Sequence, residues 1–179
     1  MNFDSGANDD FLTLKMQGNT YMQDKQYLKA IKRYTSALSK LPPIENSSQE
    51  DIKNRLITMS NRAEGFLKLG YFYSSLKDCE EILENNKQYL SLLDTTHKDK
   101  IIYRKGRSKE QLALTIEDID KINEIYDQMS EESKNKFNIE TIKKTLNEKK
   151  NNMQGKYDKK DLLAYEKSCL DIINVKNII

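Results

Sequence analysis

Apolar residues recur every three or four positions along most of this chain, which is the spacing of one face of an amphipathic helix. Leu14, Gly18 and Tyr21 form the first such stripe, and a polar stretch, QDKQ, follows it. A second stripe covers 27–38 and ends before Pro42. Proline cannot continue a helix, so the pattern predicts two helices joined by a short turn.

The helical hairpin recurs twice more along the chain. The second copy reads MSNRAEGFLKLGYFYSSLKDCEEIL, and Ser48 upstream is its predicted N-cap. The third and weaker copy reads KIIYRKGRSKEQLALT followed by IEDIDKINEIYDQM, with Thr115 as the N-cap of its second helix. Gly18, Ala63 and Gly106 occupy equivalent small-residue positions, 45 and 43 residues apart. The sequence therefore predicts three stacked hairpins.

This pattern resembles the tetratricopeptide repeat, and in the first copy the match covers that family's whole length of about 34 residues. The matching positions are Leu14, Gly18, Tyr21, Tyr27, Ala30, Tyr34, Ala37 and Pro42. The resemblance implies an all-α helical-hairpin solenoid of three repeats. The period here is longer, and we expect LPPIENSSQE and NKQYLSLLDTTH to hold the additional residues.

The domain organisation follows from composition and periodicity. Residues 1–10 are predicted to be a disordered N-terminal tail, and 11–150 to form the three-repeat domain. An apolar stripe within 139–146 predicts a C-terminal capping helix, because the last repeat of a solenoid exposes an apolar face that has to be covered. Residues 151–179 are predicted to be a polar linker and an extra C-terminal amphipathic helix, and the pattern leaves open whether this helix docks on the repeats.

Charge and composition narrow the function classes. A formal net charge of +2 is too small to predict nucleic-acid binding. Cys79 and Cys169 are too few for a disulfide framework, and neither they nor His97 have metal-ligand spacing, so we expect no metal and no cofactor. The sequence has no membrane span and no leader-like N-terminus, which predicts a cytoplasmic protein. We found no nucleophile–base pair or phosphate loop, and we expect no catalysis.

Five polar residues lie on faces that the apolar stripes leave free: Lys15, Asn19, Asn61, Lys100 and Arg104. All five belong to the first helices of their hairpins, which line the concave side of such a solenoid. Lysine and arginine donate to carboxylates, and asparagine both donates and accepts. The set therefore predicts a groove for a peptide C-terminus that ends in an acidic residue.

These five positions resemble the dicarboxylate clamp of co-chaperones, which binds the C-terminal Glu-Glu-Val-Asp tail of the cytosolic ninety- and seventy-kilodalton heat-shock chaperones. That family has K-x-x-x-N in repeat one, an asparagine before R-A in repeat two, and K-x-x-x-R in repeat three. The resemblance implies that Lys15, Asn19 and Asn61 hold the terminal carboxylate. It implies that Lys100 holds the last side-chain carboxylate and that Arg104 reaches groups just upstream.

Two further features concern the surroundings of this groove. Met22 is a candidate contact for the valine of the tail or for the residue before its glutamates. The window 99–109 holds five basic residues and a single acid. Within it we expect Lys105, Arg107 and Lys109 to be rim charges that steer an anionic ligand without specifying it.

The resulting prediction is a non-catalytic adaptor that binds heat-shock chaperones. One alternative is a repeat scaffold whose groove binds another partner, with the five-residue match incidental. Another is the targeting module of a larger enzyme, such as a prolyl isomerase or a phosphatase. The C-terminal segment 162–175 is the predicted contact for an unknown client.

Overall fold

The computed structural model describes residues 9–153, which form α-helices and short helical turns and contain no strand. The α-helices are α1 (Phe11–Gln23), α2 (Tyr27–Leu38), α3 (Gln49–Lys68), α4 (Phe72–Glu80), α5 (Thr95–Leu112), α6 (Ile116–Asp127), α7 (Glu131–Lys136) and α8 (Ile139–Met153). The predicted tail up to residue 8, and the linker and terminal helix from residue 154 onward, lie outside the described range.

Successive helices pack against each other in pairs. Helices α1 and α2, α3 and α4, and α5 and α6 form the three predicted hairpins, and α2 packs on α3 as α4 packs on α5. Helix α3 also contacts both α1 and α5. The prediction of an all-α tetratricopeptide helical-hairpin solenoid is confirmed.

The helix starts follow the capping residues read from the sequence. Ser48 and Asp51 form a reciprocal capping box at the start of α3, and Thr115 and Asp118 form another at the start of α6. The Asp10 side chain accepts a hydrogen bond from the backbone at the start of α1. Each cap satisfies backbone N–H groups that have no partner inside the helix, so these boundaries are encoded locally.

Glycines at equivalent positions allow the two helices of a hairpin to approach closely. A Cβ added at Gly18 would lie 2.5 Å from a ring carbon of Tyr34, which is 1% exposed. A Cβ at Gly106 would meet the ring of the fully buried Tyr126 in the same way. Each tyrosine ring therefore fills the space that the missing side chain leaves, and this explains the glycine–tyrosine pattern of the sequence.

The additional residues of the long repeats form short turns of helix. A 3₁₀ turn covers Ile44–Asn46, a π-helical turn, Glu81–Asn85, extends α4, and a 3₁₀ segment covers Lys87–Leu92. Leu93, which belongs to the second insertion, is buried in the apolar cluster that also contains Ile82 of the second hairpin and Ile101 of α5. The insertions therefore enlarge the core as well as the loops.

Helix α8 covers the last hairpin, as the sequence predicts. Its Ile139 and Leu146 are buried in one apolar cluster with Ile122 and Tyr126 of α6. The short helix α7, which lies between α6 and α8 in the chain, was not predicted, because its six residues are too polar to show an apolar stripe. Its N-cap, Ser130, bonds through both its backbone and its hydroxyl to the buried carboxylate of Asp99 on α5.

Candidate functional site

The five predicted site residues all lie on the first helices of the three hairpins. Lys15 and Asn19 are on α1, Asn61 is on α3, and Lys100 and Arg104 are on α5. Since α3 contacts both α1 and α5, the three helices run side by side. We refer to the predicted binding surface that these five residues define as the groove.

Asn19 and Asn61 are in direct contact. The side-chain Nδ2 of Asn61 donates to Asn19 Oδ1 at 3.3 Å, and the Tyr34 hydroxyl donates to the same oxygen at 2.8 Å. Two donors therefore fix the orientation of the Asn19 amide. Its Nδ2 hydrogens remain to donate to an acceptor on a ligand.

Lys15 is held by a neutral partner. Its Nζ donates to Asn54 Oδ1 at 2.8 Å and lies 5.5 Å from the centroid of the Phe11 ring. Burial lowers the pKa of Lys15, and the charge of Glu50 partly opposes this shift. A partly desolvated ammonium of this kind is stabilised when an anion comes into contact with it.

The sequence reasoning missed Asn54 as part of this surface. It lies seven residues, or two helical turns, before Asn61 on α3. Residues at this spacing lie on the same face of a helix, and this spacing was the signal in the sequence that could have identified Asn54. Its Nδ2 donates to Glu50 Oε1 at 3.1 Å while its Oδ1 holds Lys15. Asn54 therefore positions the ammonium across the α1–α3 contact.

Arg104 is paired inside the protein. Its Nε donates to Glu64 Oε2 at 2.9 Å, and its guanidinium also donates to the hydroxyl of Ser60. Both partners are on α3, on either side of Asn61 in the sequence, which ties α5 to the helix that carries Asn61. The Arg104 side chain is only 12% exposed.

Lys100, one helical turn before Arg104, differs from it in this respect. It is half-buried, and within residues 9–153 it makes no hydrogen bond or ion pair. Its charge does act on a nearby carboxylate: the pKa of Asp94, lowered mainly by hydrogen bonds to His97, is lowered further by Lys100. An unpaired ammonium is available to a ligand without first breaking an internal bond. Among the two predicted site residues of α5, Lys100 is therefore the cation better placed to bind an anion.

The other basic residues of the window 99–109 are neutralised by glutamates. The pairs are Lys105 with Glu84 at 2.7 Å, Arg107 with Glu110 at 2.6 Å, and Lys109 with Glu80 at 3.5 Å. Such pairs leave little net field at the groove rim. The expectation that these three cations steer a ligand therefore overestimates their free charge.

Met22 lies at the contact between α1 and α3. A Cβ added at Gly65 would lie 3.5 Å from Met22 Sδ, and Gly65 is one turn after Asn61. The side chain is half-buried. Met22 is thus an apolar neighbour of the Asn61 region, and a role in contacting a ligand remains a prediction.

Other candidate chemistry has a structural explanation. Cys79 is fully buried, and burial raises the pKa of its thiol to about 12, which makes it unreactive. His97 pairs with Asp94, the N-cap of α5. Residues 9–153 contain no cluster of three or more side chains suited to a metal ion, and none of their helices is long and apolar enough to cross a membrane.

Comparisons with known proteins agree with the helical repeat. No family model matches the chain, and no solved structure matches it significantly. Among curated proteins, the chain is similar to Hsp70-Hsp90 organizing protein 1 of Glycine max, with 27% identity over 140 residues. The match covers 78% of this chain and 22% of that relative, so this chain spans about a fifth of the relative's length. The similarity supports a tetratricopeptide-type helical domain.

Proposed function

We propose that this chain is a non-catalytic adaptor that captures the C-terminal Glu-Glu-Val-Asp tail of the ninety- or seventy-kilodalton heat-shock chaperones. The observation that carries the proposal is that the ammonium groups of Lys15 and Lys100 are partly buried without a carboxylate partner. Neither ammonium forms an ion pair within residues 9–153, although both are partly buried on helices that flank α3. The name of the similar Glycine max protein, an organizer of Hsp70 and Hsp90, supports the choice of partner.

Each groove residue has a role that its chemistry allows. Lys15 and the two asparagines bind the terminal carboxylate, with Asn19 donating through Nδ2 because its Oδ1 is already occupied. Lys100 binds the side-chain carboxylate of the terminal aspartate as an unpaired point charge. Arg104 lies further along the groove and meets the residues just upstream.

The expected affinity is moderate. Charge-assisted hydrogen bonds contribute about 1.5–3 kcal/mol each when they are well placed. Ordering a flexible tail offsets part of the sum. A net of roughly 7–8 kcal/mol corresponds to a Kd near the micromolar range, which suits an adaptor that exchanges partners.

The proposal is tested by titrating a fluorescent peptide ending in Met-Glu-Glu-Val-Asp beside the same peptide with an amidated C-terminus. We expect micromolar binding of the free acid and at least about tenfold weaker binding of the amide. Lys100→Glu places a like charge against the ligand and abolishes binding of the free acid. Equal affinity for the two peptides contradicts capture of a C-terminal carboxylate.

A second candidate is a repeat scaffold that binds a different partner. The pairing of Arg104 with Glu64 favours it, because this pair makes the groove less cationic than the clamp resemblance implies. A groove that recognises an internal segment of another partner binds the free-acid and amidated peptides equally, or binds neither. The same titration therefore separates the two candidates.

A further inference from the structure

Glu64 places a negative charge in the groove. Its Oε2 accepts from Arg104 Nε at 2.9 Å, and its Oε1 lies 3.5 Å from Lys68 Nζ. It lies one helical turn after Asn61, and its side chain is 22% exposed. A carboxylate of the protein itself therefore occupies the position beside Arg104 that a ligand carboxylate would take.

This arrangement changes what Arg104 can bind. A ligand carboxylate that approaches the guanidinium meets Glu64 beside it, and like charges placed together at an interface are costly. The alternative, displacement of Glu64, breaks a partly buried ion pair. A neutral amide or hydroxyl from the ligand avoids both costs and can donate a hydrogen bond to Glu64.

We propose that Glu64 is a specificity-determining residue of the groove, which selects against a carboxylate just upstream of the ligand's C-terminus and favours a neutral polar side chain there. The inference rests on the proposed capture of a peptide C-terminus. It concerns the residues upstream of the terminal carboxylate, whereas Lys15, Asn19, Asn61 and Lys100 serve the terminal residue. Glu64 thereby sets the relative affinities of this chain for peptides that differ in the residues upstream of the C-terminus.

The test compares two free-acid peptides, Met-Glu-Glu-Val-Asp and Met-Gln-Gln-Val-Asp, by fluorescence anisotropy. The wild-type protein is expected to bind the glutamine peptide at least as tightly as the glutamate peptide. Glu64→Gln removes the charge while keeping the size and an acceptor oxygen. It is expected to shift the affinity ratio toward the glutamate peptide by about tenfold, since Arg104 then lacks an internal counter-charge.

Glu84→Gln is the matched control. It removes the same charge from a pair with Lys105 of the same helix α5, but Glu84 belongs to the π-helical turn that extends α4, the second helix of its hairpin. The ratio is expected to stay within about twofold of wild type, since Glu84 pairs with Lys105 and not with Arg104. Circular dichroism of each variant verifies that the helices are intact.

The outcomes separate the two proposals. A wild-type protein that binds the glutamate peptide several-fold tighter than the glutamine peptide overturns the role of Glu64, and this result needs no variant. An unchanged ratio in Glu64→Gln overturns it as well, while binding of the free acids leaves the proposed function intact. If the folded wild-type and variant proteins bind neither peptide, both proposals are wrong. Binding of the glutamate peptide by the variant alone supports the role of Glu64 and contradicts tail capture by the wild type.

Discussion

Asn61 donates a side-chain hydrogen bond to Asn19, 42 residues earlier in the chain, and so links the first helices of two successive repeats. The Tyr34 hydroxyl, from the second helix of the first hairpin, donates to the same oxygen. The two amides of the groove are thus oriented before any ligand binds. A preorganised donor loses less entropy when it forms its bond to a ligand.

Tyr34→Phe tests this orientation. The ring that packs over Gly18 remains, and only the bond to Asn19 is lost, so the free energy of unfolding is expected to change by no more than about 1 kcal/mol. Binding of the free-acid peptide is expected to weaken about three- to tenfold, because the Asn19 amide becomes free to rotate. Isothermal titration calorimetry measures the affinity.

Tyr126→Phe is the control for that experiment. Its hydroxyl donates to Glu110 in the third hairpin, away from both asparagines. The affinity for the peptide is expected to match wild type even where the stability falls. An equal loss of affinity in both variants would mean that tyrosine hydroxyls act on the fold in general and not on Asn19.

Lys15→Met separates binding from stability. Methionine keeps the length and apolar character of the aliphatic part of the lysine side chain. It removes the ammonium group, whose pKa is lowered mainly by burial. We expect at least a tenfold loss of peptide affinity, with unchanged or increased stability in urea, since the desolvated charge has no ionic partner within 9–153. A variant that still bound normally would remove Lys15 from the site.

Ligand binding is also expected to change the titration of Lys15. In the free protein the pKa of Lys15 lies below the ordinary value of 10.5 that it has in the unfolded chain. Between these two pKa values the unfolded chain binds more protons than the folded protein, so the free energy of unfolding rises with pH in this range. A bound carboxylate favours the charged form and raises the pKa. NMR titration of lysine labelled at Cε, with and without peptide, measures this shift, and Lys15→Met assigns the resonance. A pKa of Lys15 that is the same in both titrations contradicts direct contact.

Lys100→Ala is expected to lower peptide affinity at least about tenfold, because a ligand carboxylate is left without its cation. Lys105→Ala is its matched control on the same helix, since Lys105 is already paired with Glu84. Its expected effect on affinity is less than about twofold. Similar losses in the two variants, measured by anisotropy at one salt concentration, would indicate general electrostatic attraction in place of a specific contact.

Gly18→Ala addresses the fold alone. The new methyl group would lie 2.5 Å from the Tyr34 ring, so we expect a loss of about 1–3 kcal/mol in the free energy of unfolding, despite the better helix propensity of alanine. Thr20→Ala, at an exposed position of the same helix, is expected to change stability by about 0.5 kcal/mol or less. Urea denaturation measures both. A Gly18→Ala variant as stable as wild type would show that Tyr34 can move without cost.

Local patterns in the sequence determined the helices of this protein. Apolar periodicity, the capping residues Ser48 and Thr115 and the stop before Pro42 act within a few residues, so they can be read from the chain directly. The sequence also showed Gly18 and Gly106 at equivalent positions of the first and third hairpins, where the structure packs a tyrosine ring. The helical solenoid follows from these signals because each repeat must bury its apolar face against its neighbours.

Only the tertiary structure decided the electrostatics of the groove. Counting charges along 99–109 predicts a strongly basic surface, yet Glu64 pairs with Arg104 across 40 residues, and Glu84 pairs with Lys105 across 21. Asn54 holds Lys15 across 39 residues. These partners lie on neighbouring helices, and the strength of an ion pair or hydrogen bond depends on distance in space and on burial, neither of which the order of residues contains.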